Sequence, residues 1–516
     1  MKSYEEFLAA KVDFDRSYGF TVPDDAVHPL LMPHQRDIVR WAVHGGRRAI
    51  FAAFGLGKSV MQLEVLRLTI ERAGGAALIV CPLGVRHEFV RDAAMLGLTT
   101  RFVRRSSEVD GPGLYLTNYE SVRDGKLDPA LFTAASLDEA SVLRSYGSKT
   151  YQVFTELFRG VPYRFVATAT PSPNRYKELI HYAGFLGVMD TGQALTRFFQ
   201  RDSTKANHLT LYPHKEHEFW LWLNTWAIFL QKPSDLGYSD DGYDLPDLDV
   251  VYHEVTADLS DDGADRDGQQ RLFRVTHLGV TGAAREKRDT LPARVAKAAE
   301  LVAAAPDDHF ILWHDLEDER RAIKRAIPEA TEVYGSLDLD TREQRVVDFA
   351  NGRLRILATK PELSGSGCNF QRHCHRAVFV GVGFSFNDFI QAVHRLQRFQ
   401  QTRRVRIDII HADSEREVVR TLQAKWAQHR ELTAKMSDVI REHGLNQASI
   451  AEALTRSIGV DRLEVSGDGW LVARNDCVQE TRDMPDGCVD GMVLTSIPFS
   501  NHYEYTPAVE DFGHTD

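Results

Sequence analysis

The chain has 516 residues, 43% apolar and 26% charged, with 62 basic against 73 acidic side chains and a formal net charge of −11. It is too long for a single hydrophobic core and too ordinary in composition to be disordered or collagenous. The acidic balance excludes nucleic-acid binding by overall charge, so any basic track must be local.

Residues 1–27 read as an N-terminal extension, too short for a nuclease domain. Their sequence, beginning MKSYEEFLAA, lacks the cationic start and apolar run of a signal peptide, and no apolar run reaches membrane-spanning length. A cytoplasmic protein without a membrane partner is expected. Cys81, Cys368, Cys374, Cys477 and Cys488 form no C-x-x-C pair and read as reduced thiols. The alternative for Cys368 with His373, Cys374 and His375 is zinc, but no second ligand cluster completes four positions.

Residues 28–185 alternate short apolar runs with helical stretches. Arg48 to Ala53 reads as a strand running into a glycine loop, and Ser59 to Ala73 as the amphipathic helix behind it. Ala76 to Val80, Gly113 to Leu116 and Tyr163 to Ala167 read as further strands, a pattern that predicts a parallel sheet covered by helices. Residues 186–290 break the pattern and read as an insertion. Trp220, Trp222 and Trp226 lie close together there, as core residues or, alternatively, as base-stacking platforms. A polar acidic loop follows at Ser260 to Gly268. A second alternating lobe spans 291–415, with strands at Phe310 to Trp313, Arg355 to Ala358, Ala377 to Val380 and Val405 to Ile410. Residues 416–462 are helical and charged, and read as a brace against the two lobes.

Several short motifs carry chemistry. In Gly55-Leu56-Gly57-Lys58-Ser59 the glycines let backbone N–H groups curl toward phosphate oxygens, and the following helix adds its positive N-terminus. Lys58 would reach the β- and γ-phosphates and Ser59 would ligate Mg²⁺. Asp138 and Glu139 end an apolar run. One carboxylate there can hold Mg²⁺ while its neighbour polarises a water. Gln35 carries an amide suited to an adenine edge, or to capping a helix. Arg395 and Arg398 are spaced to share one helical face, where they would meet a γ-phosphate, a solvated basic face being the alternative.

Together with Thr168-Ala169-Thr170, Gly365-Ser366-Gly367 and Gln391 to Arg398, these residues resemble superfamily 2 helicases, most closely the Swi/Snf-like branch of duplex-DNA translocases. The resemblance covers roughly residues 28–420. It implies an α/β fold of two RecA-like parallel-sheet lobes with an inserted helical region, ATP with Mg²⁺ at their seam, and double-stranded DNA across the lobe tops. It places Gln35, Gly55, Leu56, Gly57, Lys58, Ser59, Gly367 and Gln391 around the nucleotide. Lys58, Asp138, Glu139, Arg395 and Arg398 carry the catalysis, and Thr168 and Thr170 couple it to movement. The chain departs from the family at Ala140-Ser141 and at His394, where glycine is common.

Residues 463–516, from Asn475-Asp476-Cys477 through Ser496-Ile497-Pro498-Phe499, resemble the opening of a DNA amino-methyltransferase acting on adenine N6 or cytosine N4. The resemblance implies that Ser496, Pro498 and Phe499 form a target-base site, Ser496 bonding the amine and Phe499 stacking on the base. A strand and turn with a proline is the alternative. No Phe-x-Gly-x-Gly segment follows, so an incomplete, Rossmann-like methyltransferase is expected, with S-adenosylmethionine bound only in a longer form. Phage or restriction–modification loci are the expected setting. Two rival readings stand beside the motor: an RNA-directed helicase of the same superfamily, and a DNA-binding module with a degenerate motor.

Overall fold

A computed structural model describes residues 17–201, 209–256, 290–450 and 463–474, apart from 145–146, 173–174, 365–368, 384–385 and 448, with a few isolated positions beyond 450. The first lobe opens with helix α1 (Pro33–Gly45), which has proline at its first position and left-handed Gly46 at its end. Strand β1 (Arg47–Ala52) and helix α2 (Lys58–Ala73) flank the glycine loop. They are followed by β2 (Ala76–Val80), α3 (Arg86–Met95), β3 (Thr100–Phe102), β4 (Gly113–Thr117), β5 (Ala134–Asp138) and β6 (Tyr163–Thr168). Helix α4 (Glu216–Trp226) leads into β7 (Ala227–Leu230). The sheet runs β3-β4-β2-β5-β6-β1-β7, with every pairing parallel.

Both faces of this sheet are covered. Ala49, Phe51, Leu78 and Val80 pack into one core, while Ile50, Ala52, Ala77 and Ile79 pack into the other. The period of two, with apolar side chains on both faces, explains why these strands read as continuous hydrophobic runs.

The second lobe is built from β8 (Leu248–Val255), α5 (Leu291–Ala303), β9 (His309–Trp313), β10 (Thr331–Val333), α6 (Leu339–Ala350), β11 (Ile356–Thr359), β12 (Cys374–Phe379), α7 (Phe386–Val393) and β13 (Val405–Ala412). Its sheet is also parallel, ordered β8-β13-β12-β9-β11-β10.

The stretch expected as an insertion supplies a strand to each sheet, β7 to the first and β8 to the second. Trp220, Trp222 and Trp226 are buried in the first lobe's core, which removes them as base-stacking platforms. Apolar residues run all round α4, and a helix of that kind is buried rather than presented to a ligand. The loop Ser260 to Gly268 lies outside the described residues.

Helix α8 (Arg416–His443) crosses both lobes. Val419 joins the second lobe's core, whereas Leu432, Met436 and Ile440 join those of the first. Lys435 pairs with Glu216 at 2.6 Å and Arg441 with buried Asp235 at 2.9 Å. Beyond it, β14 (Leu463–Gly467) and β15 (Trp470–Arg474) form an antiparallel hairpin. Ser496, Pro498 and Phe499 lie outside the described residues. Among the described residues no helix is long and apolar enough to cross a membrane.

Candidate active site between the lobes

Parallel strands all end at the same rim, so the segments after β1, β5 and β6 gather there. Strand β6 lies between the other two: Phe51 is opposite Thr168, and Asp138 is opposite Ala167.

Between β1 and α2 the chain turns through Gly55 at φ 90° and Gly57 at φ 78°, values that strain any residue with a Cβ. Space is as restrictive as conformation. A Cβ on Gly57 would stand 2.5 Å from Nε2 of Gln35, and one on Gly55 2.9 Å from Cβ of Phe399, a residue of the second lobe. The Lys58 ammonium folds back to donate to the carbonyls of Ala52 at 2.8 Å and Ala53 at 3.1 Å. Burial pushes it down to about 8; Glu139 and Asp138 oppose that shift, and Arg398 and Arg395 add to it. The Ser59 hydroxyl donates to Asp92 of α3 at 2.6 Å.

The Asp138 carboxylate accepts from Nε2 of Gln62 at 2.8 Å, and Ser136 orients that amide by donating to its Oε1 at 2.7 Å. Burial, and then the neighbouring Glu139 charge, push the Asp138 carboxyl up to about 7. Glu139 has a left-handed backbone at φ 51°, a conformation that costs a non-glycine residue about 1–3 kcal/mol and tends to persist at functional sites. Thr168 donates its hydroxyl to Glu139 at 3.1 Å and accepts from the Thr170 backbone N–H at 3.1 Å. Both threonines are buried.

From the second lobe, Arg395 and Arg398 come to the same seam, where both bear electrostatically on Lys58 and on Glu88 of α3. They do not share a helical face as the spacing suggested. Helix α7 stops at Val393, because the N–H groups of Arg395 and Leu396 bond three residues back, to Ala392 and Val393, and so tighten the last turn. The arginines stand on the turn that follows. Buried Gln401 closes it, donating to the carbonyls of Leu396 at 3.1 Å and Cys374 at 3.2 Å. Gln391 is half-buried on α7, and Gly367 lies outside the described residues.

Gln35 uses both ends of its amide. Its Oε1 accepts from the Met32 N–H at the start of α1, and its Nε2 donates to Leu56 of the glycine loop, each at 3.0 Å. The cap expected as its alternative role is therefore present alongside a contact to the loop. Among the described residues no group of His, Cys, Asp and Glu could hold a metal as a cluster. Of the residues weighed for zinc, Cys368 lies outside the described residues, and Cys374 directs its buried thiol to the carbonyls of His309 and Arg376.

Sequence reasoning missed Gln62 and Asp92, and marked His394 only as a departure from the family without its contact to Phe54. Gln62 stands four residues after Lys58, one helical turn on, and that spacing could have marked it. No local pattern marks Asp92 as a partner of Ser59.

No family model matches this chain, and no curated protein matches it. Among solved structures it is similar to S. cerevisiae Dbp5 bound to RNA and ADP BeF3, at 12% identity and a TM-score of 0.50, over 85% of this chain and 100% of that one. A Sulfolobus solfataricus SWI2/SNF2 ATPase core in complex with dsDNA is similar over 84% of this chain and 99% of that one, at 18% identity and a TM-score of 0.38. The Dbp5 likeness shows the fold alone, a pair of parallel-sheet α/β lobes.

Proposed function

We propose that this chain is an ATP-driven translocase on double-stranded DNA that hydrolyses ATP with magnesium at the seam between its lobes. One observation carries the reading. Asp138 and Glu139 of one lobe and Arg395 and Arg398 of the other all bear on the charge of Lys58 at a single seam.

In this reading a polyanion draws Lys58 off the Ala52 and Ala53 carbonyls and onto the β- and γ-phosphates, beside the N-terminus of α2. Gln35 meets the adenine edge, and Gln391 with Gly367 completes the nucleotide's surroundings from the second lobe. Glu139, steadied by Thr168, orients the attacking water and takes its proton. Arg395 and Arg398 stabilise the charge that develops on the γ-phosphate, so hydrolysis waits for lobe closure. The bond series Glu139–Thr168–Thr170 leads from the water to the segment after β6, a route by which hydrolysis can move that segment.

Ser59 and Asp138 would hold the magnesium. A hydroxyl and a carboxylate are the hard oxygen donors this ion takes, and the raised proton affinity of Asp138 marks a carboxylate short of positive charge. Bound there, the ion supplies neutralisation of phosphate charge.

The test is steady-state ATPase activity without nucleic acid and with single-stranded DNA, double-stranded DNA or RNA, using Lys58→Ala as control. Lys58-dependent stimulation by duplex DNA is expected. Greater stimulation by RNA makes the chain an RNA-directed helicase, and no turnover anywhere makes it a binding module.

The reading extends to a methyltransferase at 463–516 on sequence resemblance alone. Ser496, Pro498 and Phe499 would receive a flipped base, S-adenosylmethionine would bind only a longer form, and the motor would carry the methylase along DNA in a phage or restriction–modification setting. Methylation by that longer form that ignores both ATP and Lys58→Ala would sink the coupling.

A further inference from the structure

We infer that Phe54 and His394 form the joint through which the glycine loop sets the arginine turn, which makes them positioning residues for hydrolysis. The inference rests on the ATPase reading of the seam.

Phe54 is the loop residue just before Gly55, yet it packs against the core of the second lobe. Its ring lies over that of His394 with centroids 4.7 Å apart and planes 17° apart, a face-to-face stack between lobes. The same ring also meets the catalytic cation, as the Lys58 ammonium lies 5.2 Å from its centre. Behind the stack, His394 reaches its own turn. Its Nδ1 lies 3.1 Å from the Gln397 carbonyl, which can only accept, so Nδ1 carries the proton and donates. That bond spans Arg395 and precedes Arg398.

A second contact brackets the arginines from the far side. Phe399 packs on Gly55 so closely that a Cβ there would stand 2.9 Å from it, and its ring stacks on Tyr243 at 4.7 Å. Gln371 donates to the Phe399 carbonyl at 3.1 Å. Loop residues 54 and 55 thus meet turn residues 394 and 399, with both arginines in between. The charge balance suits the arrangement. Burial pushes the His394 imidazole down to about 4, so it is neutral beside Lys58 and Arg398 and adds no cation to the seam.

A double-mutant cycle on the full chain tests this: Phe54→Ala, His394→Ala and the pair. Thermal melting comes first, and the double variant should lose less than the sum of the single losses, because the second substitution removes a contact already gone. Additive losses overturn the joint, whether or not the protein turns over ATP. In stimulated turnover each single variant should lower kcat about tenfold and leave the KM for ATP within about twofold, with the double variant no worse than either single. A double loss of about a hundredfold, the product of independent effects, overturns the inference, and so does an unchanged kcat in either single. His394→Phe keeps the ring on Phe54 but cannot donate to Gln397, and should fall between wild type and His394→Ala. A wild type without Lys58-dependent turnover overturns the ATPase reading, and the positioning role with it, while the melting cycle still reports the contact. Unaltered kcat in a protein that does turn over ATP overturns this inference alone.

Discussion

Two clusters of buried charge in this chain use similar residues to opposite effect. In the second lobe, Arg294 is fully buried and donates from Nη1 to Glu319 at 2.6 Å and to the Val380 carbonyl. The other carboxylate oxygen of Glu319 accepts from the backbone N–H groups of Asp315 at 2.8 Å and Leu316 at 3.0 Å. Burial raises the Glu319 carboxyl, but Arg294 and those amides outweigh it and hold the group below the ordinary carboxylate range. At the seam the balance is reversed. Lys58 is pushed down and Asp138 up, because burial there exceeds the compensation the fold supplies. A closed set of bonds marks a structural ion pair. Charges left short of partners mark a place built to receive more charge.

The sharpest break between the clusters should come from Lys58→Ala. We expect ATP turnover to fall by a factor on the order of 10³ or more, with melting little changed, since the loss is confined to transition-state charge. A tenfold effect or less would make Lys58 another structural cation. Arg294→Met should do the converse. It strands Glu319 and costs about 3–5 kcal/mol of stability in denaturant unfolding, while turnover per folded molecule is retained. A loss below about 1 kcal/mol would show that the second-lobe pair is not the closed structural unit described here. Arg398→Ala should lower kcat by about a hundredfold and affect ATP binding less, as read from separate kcat and KM values. Equal losses in both would assign Arg398 to ground-state binding.

A smaller effect separates the clusters by the sign of their pH dependence. Asp138 ordinarily titrates near 3.8 but near 7 in the fold, so between those values the native chain binds more protons than the unfolded one. Its contribution is present at low pH and is lost as pH rises toward 7. Glu319 is shifted the other way, so its contribution is present above the ordinary glutamate range and is lost as pH falls. Melting curves of the nucleotide-free protein across pH 4 to 7 should therefore lose less stability with rising pH in Asp138→Asn than in wild type. Identical slopes would contradict the burial ascribed to Asp138.

The sequence by itself determined what local backbone geometry controls. Strands buried on two faces read as continuous apolar runs, as at Ala76–Val80, where the expected and observed limits coincide. Left-handed turns demand glycine, so Gly55 and Gly57 announce the loop before any neighbour is known. What was not legible depends on residues far apart in the chain. The arginine turn is closed by Gln401 and Cys374, and without those partners the spacing of Arg395 and Arg398 suggests a helix. The stretch between the lobes gives one strand to each sheet because its apolar segments meet edges formed by residues far from them in sequence. Asp92 meets Ser59 only once the first lobe is folded, and His394 meets Phe54 only once the two lobes are brought together. Periodicity and turn chemistry act over a few residues and survive in the sequence, whereas partner choice across the seam follows from packing, which tertiary structure alone decides.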